Sequence, residues 1–377
     1  MWRGNYYNAY CAACVAPNSS PSIVARTSSL QFPFAEAPAP GSVTEVAPGV
    51  FWLRMALPFQ LNHINLWLLR DDVGGEAGWT IVDTGIGNAA TRAVWERLFA
   101  APIGAQPVRR VIVTHYHPDH AGNAAWLCER FGAELWMTQG EYLTAHAVRA
   151  GGAGYTTEAV LRVFGQNGLE HALAAQMAAR GNPYRQLVPE FPLTYRRFID
   201  GERILTDGRH WRTIVGYGHA PEHASLYCEE LKLLIAGDML LSTISTNVSV
   251  WSIDPEGNPL KLFLDSIARY RELESDVLVL PSHGMPFRGA HERVAELEAH
   301  HEERFAELLA ACEEGARSAY DLIDVLFRRK LDNHQMFFAM GEAIAHLHYL
   351  YYAGRLSRAA GADGVMRYAT AAVPAHA

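Results

Sequence analysis

The chain has 377 residues, 49% of them hydrophobic and 19% charged, with a formal net charge of −8. That length and apolar share can build one large two-layer domain plus a smaller one, with a core that needs no external staple. The acidic balance excludes a protein whose chief partner is the phosphate backbone, since that footprint is basic, and no apolar run approaches the roughly 18 residues of a membrane span.

Five cysteines, Cys11, Cys14, Cys128, Cys228 and Cys312, are odd in number and scattered. This is the usage of a reducing compartment, so the expected location is cytoplasmic. Residues 1–42 are rich in Ala, Pro and Ser, show no period, and read as a flexible N-terminal extension. Cys11 and Cys14 form a lone CxxC there, which without a second pair is read as chance composition rather than a metal site.

Short β-rich runs follow: GVFWLRM (49–55), HINLWLLR (63–70) and WTIVDTG (79–85). A helical stretch, ATRAVWERLFA (90–100), leads into the strand RRVIVT (109–114). Alternation of this kind predicts an α/β layered domain over residues 43–290, antiparallel in its first strands. About residues 139–200 lies a mostly helical insertion carrying Tyr155, Phe164, Met177, Tyr184, Phe191 and Tyr195. It reads either as a packing layer or as the wall of a pocket. The β pattern resumes in WRTIVGYGHAPEHASLYCEE (211–230) and LKLLIAGDML (231–240), read as two neighbouring strands, and in SDVLVLPSHG (275–284) after a helix near LKLFLDSIARYREL (260–273). Residues 291–377 turn helical and charged and close in a hairpin-like GRLSRAAGADGVMRY (354–368).

The densest chemistry is VTHYHPDHAGN (113–123), with His115, His117, Asp119 and His120 inside six positions. Residues two apart at a strand end point to one side, so His115 and His117 can face one object. Pro118 breaks the run before Asp119 and His120. Three more candidates each sit where a strand ends: His219 in GYGHAPEH, Asp238 in AGDM and His283 in LPSHG. Five imidazoles and two carboxylates meet the ligand demand of a pair of metal ions with positions left for water and substrate. His63, His146 and His210 are read as hydrogen-bonded core histidines, His223 as a surface residue in preference to a support of the ligand shell, and Asp83 as a turn-fixing support rather than a ligand.

The order HxHxDH, His, Asp, His, together with the DTG turn at residues 83–85, resembles the metallo-β-lactamase superfamily over residues 45–290. The resemblance implies an αββα sandwich. His115, His117 and His219 would hold the first metal, Asp119, His120 and His283 the second, and Asp238 would bridge them. It also implies two divalent ions, zinc first and iron or manganese as alternatives, a bridging hydroxide as nucleophile, and Asp119 as the residue that orients the water. No GxSxG nucleophile elbow competes.

Two substrate readings remain. One is a small-molecule thioester, ester or lactone, in keeping with the glyoxalase II-like and lactonase-like branches. The other is single-stranded RNA, because residues 291–377 resemble the winged-helix-like tail of lactamase-like endoribonucleases. That region holds nine Arg and Lys against thirteen Asp and Glu, the wrong sign for gripping RNA. The expected partner is therefore a small acyl substrate, with no nucleic acid and no membrane. The stripe Ile344, Leu347, His348 and Tyr351 is suited to packing on the catalytic domain or on a second copy in a homodimer. A non-catalytic scaffold is the third reading, and metal content separates it from the others.

Overall fold

The computed structural model describes residues 30–72, 75–104, 106–152, 154–178 and 181–371; Cys11, Cys14 and most of the expected extension lie outside them. The chain divides into two units, one drawn from Met1–Ala150, Pro183–Thr246 and Ser266–Val294, the other from Gly151–Asn182, Asn247–Asp265 and Ala295–Ala377. The helical stretch read as one insertion is thus shared between the two.

The first unit carries two sheets. Strands β1 (Thr44–Ala47), β2 (Val50–Ala56), β3 (His63–Arg70), β4 (Trp79–Val82), β5 (Val108–Ile112), β6 (Glu134–Met137) and β7 (Arg196–Arg197) lie in that spatial order. Pairing is antiparallel from β1 to β4 and parallel from β4 to β7. Between β4 and β5 the crossover is α1 (Ala89–Ala100), capped by Asn88, whose side chain accepts from Thr91 N at 2.8 Å. The second sheet contains β8 (Arg203–Thr206), β9 (Arg209–Gly216), β10 (His223–Cys228), β11 (Leu233–Gly237), β12 (Leu278–Pro281) and β13 (Phe287–Arg288), ordered β13-β12-β11-β10-β9-β8.

Period-two alternation assigns each side chain to a face. Val50, Trp52, Trp67, Leu69, Val82 and Ile112 of the first sheet meet Trp211, Leu226, Ile235 and Leu280 of the second. Leu53, Met55, Ile64, Leu66 and Val111 face the other way, onto Trp95 and Leu98 of α1 and Leu127 of α3 (Ala124–Phe131). A strand buried on both faces reads as the near-continuous apolar run seen in HINLWLLR. Over the far face of the second sheet, Tyr270 places its hydroxyl 2.7 Å from Ser225 Oγ, and Arg269 donates to Val215 O. Layering of two facing sheets with helices outside agrees with the expected α/β sandwich.

One difference is local. The stretch 211–230, read as a single strand, is two antiparallel strands, β9 and β10, with residues 217–222 outside the sheet. Gly218 adopts φ of 98° and Pro221 has no N–H to give a ladder, so the chain leaves the sheet there. His219 rides on that excursion.

The second unit is mostly helical: α5 (Thr157–Gln166), α6 (His171–Ala178), most of α9 (Ala290–Glu313), α10 (Ile323–Leu326) and α11 (Asn333–Tyr352), then the hairpin β14 (Leu356–Ala360) and β15 (Met366–Thr370). Asp332 and Gln335 start α11 with a reciprocal capping box. Ile344, Leu347 and His348 are buried and Tyr351 is half-buried. Phe305 stacks on Tyr349 with centroids 4.4 Å apart. No helix among the described residues is long and apolar enough to cross a membrane.

Candidate metal centre

All seven residues singled out from the motifs converge at one end of the first unit. Ligand atoms of His115, His117, His219 and Asp238 lie within 4.8 Å of one another, as do those of Asp119, His120 and His283. His117 ends the turn after β5, and the short helix α2 (Pro118–Ala121) opens with Pro118 at its first position, where the missing N–H costs nothing. The ligand atoms on either side of Pro118 fall into two groups, His115 and His117 in one, Asp119 and His120 in the other.

In the first group, His115 Nε2 lies 2.9 Å from His117 Nδ1 and 3.2 Å from His219 Nε2. In the second, His283 Nε2 is 3.5 Å from Asp119 Oδ2, and His120 Nε2 is 3.8 Å from the same oxygen. Asp238 touches both groups. Its Oδ2 stands 3.4 Å from His219 Nε2, and its Oδ1 stands 3.5 Å from both His120 Nε2 and His283 Nε2.

The remaining ring nitrogens show why these histidines suit a cation. His283 Nδ1 lies 2.7 Å from the carbonyl of His63, which can only accept, so Nδ1 carries a proton and Nε2 is free to coordinate. His120 Nδ1 is held the same way by Asp83 Oδ2. Nε2 of His120, Nε2 of His283 and Oδ1 of Asp238 are buried with no hydrogen-bond partner among the described residues. Such orphans are rare and costly, and a cation would satisfy all three at once.

The electrostatics agree. Burial holds His115 well below its ordinary pKa and brings His117 down to about 3, so both rings are neutral, the form that can coordinate a cation. Burial also opposes charge on His283, yet Asp238 and Asp119 outweigh it and lift that ring to about 9. His120 rises well above its usual range against the same opposition, through Asp83, Asp119 and Asp238. A bound cation would take over the positive charge those protons supply.

Supporting residues come from several segments. Asp83, with φ of 63°, accepts from Thr114 N at 2.8 Å and from His120, so it ties β4 to the histidine turn, in keeping with the turn-fixing, supporting part expected of it. Thr84 Oγ1 donates to His120 O, and Asn123 Nδ2 donates to Ile86 O at 2.7 Å. These contacts pin the DTG turn to the histidine turn. A Cβ on Gly122 would come within 2.4 Å of Gly87 N, so only glycine lets the two backbones close up.

His223 corrects the sequence reading. It is fully buried, and its Nε2 accepts from Asp238 N at 3.1 Å. It lies inside because β10 begins at that residue, beside Gly237, whose φ of 56° and missing side chain make room for the ring. The spacing of four residues from His219 was visible; the strand start was not. His63 also serves the site, accepting from Gly284 N at 2.9 Å, whereas His146 bonds to Pro192 O and His210 is exposed. Sequence reasoning missed Asn123 and Glu141 altogether, since a lone amide or carboxylate has no spacing to announce it.

The chain resembles known families and proteins along most of its length. Residues 61–283 match the family described as "Metallo-beta-lactamase superfamily", and residues 305–371 match "Metallo-beta-lactamase-like, C-terminal domain". Probable metallo-hydrolase YqjP of Bacillus subtilis (strain 168) is 22% identical over 309 residues, covering 79% of this chain and 91% of that protein. Among solved structures, a beta-lactamase domain protein from Burkholderia ambifaria is 49% identical, with a TM-score of 0.85 over 91% of this chain and 98% of its own. The metallo-beta-lactamase family protein TTHA1429 from Thermus thermophilus is 32% identical, with a TM-score of 0.72 over 86% and 100%.

Proposed function

The chain belongs to the metallo-beta-lactamase superfamily and is a hydrolase of that family, and from that premise we propose that it is a dinuclear enzyme acting on a small-molecule thioester, ester or lactone. His115, His117 and His219 hold one divalent ion, Asp119, His120 and His283 hold the other, and Asp238 is shared. The observation that carries this is the split of the Asp238 carboxylate, one oxygen toward each group. Zinc is the proposed metal, since imidazole and carboxylate donors suit it.

A pair of such ions would supply a Lewis acid and would bring the ionisation of a bound water down toward neutral pH. The protein does the rest. Asp83 and the His63 carbonyl hold the rings of His120 and His283 in the ligating tautomer. His223 holds the backbone of Asp238. Asp119 is the catalytic carboxylate of the proposal: buried, and kept ionised below its ordinary range by His120 and His283 although burial opposes it, it would both help hold the second ion and accept a hydrogen bond that orients the attacking water.

The domain reading that goes with this has residues 43–290 as the catalytic domain and 291–377 as a helical, winged-helix-like appendage, supported by the order α9, α10, α11, β14, β15. That same order favours the alternative, a single-stranded RNA endonuclease. The excess of acidic over basic residues in 291–377 weighs against it. A hydrolysis screen of the metal-loaded protein over acyl-CoA, acyl-glutathione, lactone and single-stranded RNA decides between them. Turnover of one acyl class with intact RNA is expected; RNA cleavage with no acyl turnover would reverse the assignment.

A further inference from the structure

We propose that Glu141 is a positioning residue of the metal centre, clamping the turn that carries His115 and His117 to the turn that carries His219 through two backbone N–H groups. The proposal rests on the dinuclear reading above.

Glu141 sits in the first turn of α4 (Gln139–Ala150) and is completely buried. Its Oε2 accepts from Tyr116 N at 2.8 Å, and its Oε1 accepts from Glu222 N at 2.6 Å. Tyr116 is the residue between His115 and His117, and Glu222 lies three residues after His219. One carboxylate therefore spans the two excursions whose imidazoles must meet. The tie is reciprocal: Glu222 Oε2 accepts from Gly140 N at 2.7 Å, and Glu222 O accepts from Thr138 Oγ1 at 2.8 Å. The acidic side chain of Glu222 thus sits where the α4 N-terminus favours negative charge. The Tyr116 peptide is gripped from its other side too, where Tyr184 donates its hydroxyl to Tyr116 O at 2.7 Å.

Both hydrogen bonds that Glu141 accepts come from backbone N–H groups, so it acts on the position of the two turns. Position matters because three imidazole nitrogens, two on one turn and one on another, must converge within about 0.5 Å of a working geometry. Both oxygens of Glu141 accept from N–H donors, so a carboxylate meets a demand that an amide can only half meet: in Gln, the NH2 group would face one donor.

Zn2+ binding to the metal-free protein, read in competition with a chromophoric chelator, tests this without any assay of turnover. E141Q keeps the volume and removes one acceptor. It is combined in turn with His120→Ala, which leaves only the His115, His117 and His219 group intact, and with His117→Ala, which leaves only the other. The expected result is a 10- to 100-fold loss of Zn2+ affinity from E141Q in the His120→Ala background and no loss in the His117→Ala background. Equal affinities in both backgrounds, even with a lowered unfolding temperature, would overturn the proposal and leave Glu141 a purely structural residue. Should E141Q fail to fold, E141D carries the same test, because its shorter reach spares only one of the two turns. Unaltered protein that takes up no Zn2+ would sink the metal reading itself, a different outcome from a metal centre indifferent to Glu141.

Discussion

Oδ2 of Asp83 lies 2.8 Å from Nδ1 of His120, and neither side chain is more than 1% exposed. The carboxylate also takes the N–H of Thr114 on its other oxygen, so it fixes strand end and imidazole together. Asp83→Asn keeps the shape but presents an amide N–H to one of these donors. Metal affinity at the Asp119, His120 and His283 group is expected to fall 10- to 100-fold, measured by chelator competition. Unchanged affinity would mean that the ring is held by packing alone.

Tyr184 was a candidate for a pocket wall, yet its ring is fully buried and its hydroxyl holds Tyr116 O. Tyr184→Phe should cost about 0.5–1.5 kcal/mol by removing the hydroxyl that donates to the part-buried Tyr116 carbonyl, and Tyr184→Ala about 3–5 kcal/mol, both read from denaturant unfolding. A Tyr184→Ala protein of normal stability but altered substrate preference would return the residue to the pocket wall.

In the second unit, Glu342 is buried, accepts from Asn247 Nδ2 at 3.2 Å, and is pushed up by burial to about 7 from its ordinary 4.5. An acid raised in the folded state binds its proton more tightly there than when unfolded. The stability it lends is therefore present below about pH 4.5 and is lost as pH rises to about 7. Glu342→Gln should remove this slope, gaining on the order of 3 kcal/mol over the natural protein at pH 8 and almost nothing at pH 4. Parallel pH profiles for the two proteins would contradict the assignment.

Truncation after residue 290 removes α11 and with it the partners of segments that remain. Phe337 lies 5.4 Å from Phe164 and 5.7 Å from Trp251, centroid to centroid, and all three belong to the second unit. The shortened chain should aggregate or lose its cooperative transition in calorimetry, and the full chain should show little binding to single-stranded RNA at any salt. A soluble, fully active truncation with weakened RNA binding would favour the nuclease.

Much of this was legible in the sequence because the candidate ligands sit at strand ends, and strands announce themselves. HINLWLLR is β3 from His63 to Arg70, and His115, Asp238 and His283 follow apolar runs directly. What was not legible depends on tertiary approach. His223 looked like a surface residue, since sequence cannot show that Gly237 of the next strand leaves room for its ring. Glu141 gives no motif at all: its function lies in two backbone N–H groups 25 and 81 residues away along the chain. The mixed allegiance of residues 139–200 was hidden for the same reason, because α5 and α6 belong to the second unit while α4 and α7 (Pro183–Leu187) belong to the first.

Asp238 is proposed to serve two cations at once, one through each carboxylate oxygen. Metal content per chain, measured on the purified protein and on Asp238→Ala, tests it most directly. Close to two divalent ions are expected in the natural protein, and in Asp238→Ala a loss from both groups together with loss of hydrolysis. Full metal content with normal turnover in Asp238→Ala would contradict it.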